Sequence, residues 1–144
     1  MAAAILGVTL RGIDALPVEV ESEITSGMFS FTVVGLPDAA IRESRERVRA
    51  ALRELGISIY GRIAVNLAPA DLPKEGSLLD VPIAVALAAE KKLFRLDRPA
   101  LYMGELALDG RVRAVRGAVP AAMLARSMNL PLYCPAENAA EVAL

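Results

Sequence analysis

The stretch VEVESEI, Val18 to Ile24, places Val18, Val20, Ser22 and Ile24 on one side of an extended chain and Glu19, Glu21 and Glu23 on the other. That two-residue period predicts a half-buried strand with a solvated acidic face, and it commits the opening of the chain to a sheet that has a core on one side only. Ile5 to Arg11 alternates in the same way, and Phe29 to Leu36, FSFTVVGL, reads as a third strand stopped by Gly35 and Pro37. Short turns near Ile13-Asp14 and Ser26-Gly27 lead to the expectation of a three-stranded antiparallel meander.

Asp38 is placed to cap a helix that runs to about Leu55 and stops at Gly56. At 100° per residue, Ile41, Val48, Leu52 and Leu55 form its apolar stripe, and Arg42, Arg49 and Arg53 line one flank with Arg45 at its border. Arg62 to Leu67 is the next strand. A second helix, about Asp80 to Lys91, is apolar nearly all round and therefore central, and Pro82 fits only its first turn. Ala100 to Leu108 reads as a strand, Asp109-Gly110 as a two-residue hairpin loop, and Arg111 to Val115 as the return strand. A helix over about 119–128, a short strand over Leu130 to Cys134 and a helix beginning at Pro135 complete the chain. The last helix runs to the final residue, so a further module is expected beyond Leu144.

At 144 residues the chain is expected to form one domain with a sizeable core. Hydrophobic residues make up 55%, yet charge or Pro interrupts every run before it reaches the roughly 18 residues of a membrane span. The N-terminus lacks a basic leader, and a cytoplasmic location without membrane contact is expected. The single cysteine, Cys134, sits in the apolar run LPLYCP and suits a buried thiol better than a nucleophile. With no histidine, triad catalysis, His-ligated zinc and imidazole acid-base chemistry are closed to this chain. No Gly precedes Lys74, Lys91 or Lys92, so there is no Gly-Lys-Ser/Thr phosphate loop. A net charge of -1 exerts no global pull on nucleic acid, and any such binding falls to a local patch.

The runs VVGLPDAAIRESRERVRAAL at 33–52, VNLAPADLPKEGSLLD at 65–80, GELALDGRVRAVRG at 104–117 and PAENAAE at 135–141 resemble, in order, the amino-terminal domain of the ComM/YifB family of magnesium-chelatase-like AAA+ ATPases. The resemblance implies an α/β (α+β) fold in two layers, similar to the second domain of ribosomal small-subunit protein five and to the proteolytic domain of Lon. It implies a motor module carrying ATP and magnesium after this domain, a homo-oligomeric, hexameric full-length protein, and work on DNA such as branch migration during transformation. No cofactor is expected in the chain itself.

The Lon likeness raises peptidase chemistry, and the residues that match argue against it. Leu78 stands where the nucleophilic Ser of Lon would fall, with Ser77 one residue out of register. The position of the general-base Lys is taken by about Val119, in a helix without lysine, so a Ser-Lys dyad has neither member. Three contact sites remain. Arg42, Arg45, Arg49 and Arg53 suit nucleic acid or an acidic neighbouring subunit, against the simpler reading of a solvated charged face. Arg111, Arg113 and Arg116 form a second basic cluster around the hairpin. Asp71, Lys74, Glu75 and Asp80 form a loop site for a metal or partner, against the favoured reading that Asp80 caps its helix and the others are solvated.

Overall fold

The computed structural model of the chain describes residues 4–142. Strand β1 (Ile5–Arg11) and strand β2 (Asp14–Thr25) form a hairpin around Gly12, with Gly7 opposite Val18 and Arg11 opposite Asp14. β2 starts earlier than the alternation alone suggests, because 14–17 pair with the end of β1. Strand β3 (Ser30–Val34) does not continue a meander. Strand β4 (Arg62–Ala68) lies between β2 and β3, antiparallel to the first and parallel to the second. The cause is the helix that follows β3, since a strand that leaves through a crossover helix returns parallel. Ile63, Val65 and Leu67 of β4 are buried, with Ile63 and Val65 opposite Phe31 and Val33 on one side and Ile24 and Ser22 on the other, which is the setting of an interior strand.

Helix α1 (Ala39–Glu54) buries Ile41, Ser44, Val48, Ala51 and Leu52. Leu55, expected in that stripe, is 69% exposed because it is the C-cap residue, and Gly56, with φ +82°, turns the chain so that the Ile57 amide returns to the Leu52 carbonyl at 2.8 Å. Helix α2 (Asp80–Glu90) buries Pro82, Ile83, Ala86, Leu87 and Ala88. It lies close on β1: a Cβ on Gly7 would stand 2.4 Å from a Leu79 methyl.

The stretch expected as one strand over 100–108 is two. Strand β5 (Ala100–Tyr102) pairs with β1, and the chain bends at Gly104, where a Cβ would meet the side chains of Val81 and Val112 at 2.8 Å. Strand β6 (Glu105–Leu106) then pairs only with strand β7 (Val112–Arg113) in a separate ribbon. Its loop is wider than two residues: Ala107 and Arg111 close it at 2.9 Å, and Gly110 with φ +93° takes the left-handed position of a three-residue turn. Helix α3 (Ala118–Met128) runs between Gly117 and Asn129, both left-handed, as the cap residues predict. Strand β8 (Leu132–Tyr133), a 3-10 turn (Ala136–Asn138) and helix α4 (Ala139–Val142) follow, while 143–144 of the expected last helix lie outside the described residues.

The main sheet therefore has the order β3-β4-β2-β1-β5-β8, and the fold is the mixed α and β class expected. Alternation along β1 and β5 divides the core: Ile5, Ala100 and Tyr102 face α1 and α2, whereas Leu6, Val8, Leu101 and Met103 face Ala121 and Ala125 of α3. α3 thus shields the far side of β1, β5 and the start of β2. On that same side of β2 the residues Glu19, Glu21 and Glu23 are exposed, as their alternation predicts.

Candidate functional site

The loop between β4 and α2 is tied to the turn before α1 by Lys74, which sequence reasoning treats as a solvated charge, and by Asp38, which it reads as a helix cap. Lys74 is 1% exposed. Its backbone amide donates to the Leu36 carbonyl at 3.0 Å, its carbonyl accepts from the Asp38 amide at 3.0 Å, and its ammonium donates to the carbonyls of Gly35, at 2.7 Å, and Pro69. Burial pushes the Lys74 ammonium below its ordinary pKa, with Asp71 acting in the opposite sense. Asp38 completes the junction. One carboxylate oxygen accepts from the Ile41 amide at 2.8 Å, the expected N-cap, and the other accepts from the Gly76 amide at 2.9 Å. The reading of Lys74 as a solvated loop charge is therefore corrected: its ammonium is buried and donates to carbonyls of two turns, at Gly35 and Pro69.

Asp80 corrects a second expectation. It is the first residue of α2 rather than its cap, the N-cap being Leu79 without a side-chain bond. The Asp80 carboxylate is fully buried and forms a bidentate pair with Arg47 at 2.6 and 3.1 Å. It also accepts from the Ser44 hydroxyl and from the Leu106 amide, the latter at 3.0 Å. Arg47 donates further to the Ala40 carbonyl at 3.0 Å. Its pKa is raised, chiefly by the hydrogen bond to Asp80 and against the effect of burial. One carboxylate thus joins α1, α2 and β6. Arg47 and Ser44 escaped the sequence reading. The available signal was an acid opening a helix otherwise apolar on every side, which needs a cationic partner once buried.

The four loop residues do not form one site. Asp71 and Glu75 are exposed, while Lys74 and Asp80 are buried in separate networks. Beside them lies a cleft of about 500 Å³ lined by Asp38, Glu75, Gly76, Ser77, Glu105 and Arg116, among others. Ser77 borders it, half-buried; Leu78 turns its side chain into the core with Val8, Leu101 and Met103. Val119, at the position of a general base, is 43% exposed on α3. Among the described residues, no group of three or more Cys, Asp or Glu side chains is gathered so as to hold a metal ion. No helix there is long and apolar enough to cross a membrane.

The basic flank of α1 runs along β3. Arg42 donates to the Pro37 carbonyl at 2.9 Å, and Arg45 to the carbonyls of Arg42 and Phe31 at 2.8 and 3.1 Å. The Arg49 guanidinium lies 4.1 Å above the centre of the Phe29 ring, and Arg53 is exposed in the last turn. In the second basic cluster Arg111 pairs with Asp109 at 2.9 Å and Arg113 approaches Glu105 at 3.9 Å, both in exposed positions. Cys134 is half-buried against the α3 side of the core.

A family model described as subunit ChlI of magnesium chelatase matches residues 20–138, and the chain belongs to that family of magnesium-chelatase-like proteins. The ComM/YifB group is where its relatives fall. YifB of Salmonella typhimurium is 43% identical over 136 residues, covering 92% of this chain and 27% of the relative. Competence protein ComM of Haemophilus influenzae is 40% identical over 138 residues, again covering 92% and 27%. An uncharacterized protein of Mycobacterium tuberculosis is 46% identical over 141 residues, covering 95% of this chain and 28% of its own length. The chain thus spans little more than a quarter of the curated relatives it matches.

Proposed function

We propose that this chain is a non-catalytic domain of a magnesium-chelatase-like AAA+ ATPase, serving assembly of the motor and its engagement of DNA or a partner. ATP and magnesium belong, in this reading, to a module outside the chain, and the working protein is a cytoplasmic homo-oligomer. The observation that carries the reading is the use of the chemically capable groups: Lys74 and Asp80 spend their hydrogen-bonding capacity on the chain's own carbonyls, amides and Arg47. A lysine held by two carbonyls and a Leu at the nucleophile position leave Ser77 without the activated partner that acyl transfer requires. One relative bears the name competence protein, which supports a setting in DNA processing such as branch migration during transformation. The small share of the relatives' length supports a motor elsewhere in the full protein.

The test is an assay of the purified chain for ATP hydrolysis with magnesium and for casein cleavage. Neither is expected above the buffer blank. Casein cleavage that disappears in Ser77→Ala, or ATP turnover that follows the chain through successive columns, would overturn the reading.

A further inference from the structure

Beyond the start of β2, which α3 reaches at Ala15, the outer side of β2, β4 and β3 carries no helix among the described residues. There β2 presents Glu19, Glu21 and Glu23, and the strands beside it present Ala64, Asn66 and Ala68 of β4, with Thr32 and Val34 of β3 beyond. The alanines leave the surface low, so the glutamates stand above it. Asn66 holds Glu21 in place by donating to its carboxylate at 2.9 Å. Val34, 49% exposed, supplies an apolar border.

The opposite side of the same sheet carries the basic row of α1. Arg45, Arg49 and Arg53 are four residues apart, which spaces them by about 6 Å along a helix. Glu19, Glu21 and Glu23 are two apart on a strand, a spacing of about 6.8 Å. The rows are therefore opposite in charge and close in pitch, although Arg45 is already engaged by the Arg42 and Phe31 carbonyls. Arg49 and Arg53 donate no hydrogen bond to the chain's own carbonyls among the described residues, and Phe29 and Tyr60, 45% and 74% exposed, border them with apolar surface.

We infer that the open face of β2 in one copy docks on the α1 arginine row of a second copy. Because the rows lie on opposite sides of the sheet, a copy that uses its glutamates on one neighbour keeps its arginines for another. The contact is heterologous and propagates to a ring or a filament. The inference deepens the assembly role proposed above, but it is read on the chain alone without nucleotide, so its failure leaves the non-catalytic reading standing.

The experiment uses sedimentation velocity on the 144-residue chain at low and high salt, with two reversed variants. One carries E19K, E21K and E23K; the other carries R49E and R53E. The wild-type chain is expected to associate as concentration rises at low salt and to dissociate at high salt. Each variant alone is expected to stay monomeric with an unchanged far-ultraviolet spectrum. An equal mixture is expected to associate again, because each reversed row then meets its opposite. A wild-type chain that stays monomeric to millimolar concentration at low salt, variants that associate as the wild type does, or a mixture that remains monomeric would each overturn the inference.

Discussion

At the scale of single residues, Asp80 matters most, because a buried carboxylate is tolerable only while its partners remain. Asp80→Ala strips Arg47, Ser44 and the Leu106 amide of their acceptor, and a loss of about 3–5 kcal/mol is expected in urea unfolding. Combining Asp80→Leu with Arg47→Met removes both charges together and is expected to cost less than Asp80→Ala alone; equal losses would place the energy in packing rather than in the pair. Tyr102, stacked on Tyr133 at 5.0 Å, has its pKa raised by burial and by its neighbour. The folded chain keeps that proton after the unfolded chain has begun to lose it near pH 10.0, so the contribution is full below that point and is lost as pH climbs through the folded value. Lys74 acts with opposite sign: its lowered pKa makes stability rise with pH in the window below 10.5. The alkaline slope of Tyr102→Phe, compared with wild type, isolates the tyrosine; it is expected to be flatter, and identical slopes would remove Tyr102 from the account.

At the scale of elements, the caps of α1 and α3 were legible, whereas the cap of α2 and the joints between elements were not. Asp38, Gly117 and Asn129 end their helices as their residue types predict, since a cap is satisfied within one turn of chain. The second oxygen of Asp38, which reaches Gly76, depends on a loop far along the sequence and leaves no local mark. Asp38→Ala is therefore expected to cost more than an ordinary cap, about 2 kcal/mol, with α1 fraying first in hydrogen exchange; Asp38→Asn, which keeps the cap acceptor, is expected to lose less. The strand over 100–108 was misread for a related reason. Apolar residues flank Gly104-Glu105 on both sides, and the crowding of Val81 and Val112 against Gly104 shows that the chain must turn there. The same limit hid Lys74, whose burial follows from the turn at Gly35 meeting the loop at Pro69 in space.

At the scale of the whole molecule, composition and alternation gave the class of fold, whereas strand order needed the crossover through α1. The acidic face of β2 was readable from seven residues; that it would stay open, with α3 shielding only the neighbouring half-sheet, was not. The charge-reversal experiment belongs at this scale, since the two rows lie on opposite sides of the sheet and do not pair with each other within a single copy. The strand order has one more result, and it concerns time. β1 sits inside the sheet, yet its second neighbour is β5, with Ile5 opposite Ala100. A nascent chain leaving the ribosome therefore carries the β1–β2 hairpin with one edge unsatisfied until β5, at Ala100–Tyr102, has been made. Products cut short before β5 would expose that edge to other chains, so premature termination is expected to send this protein into aggregates rather than into smaller folded pieces.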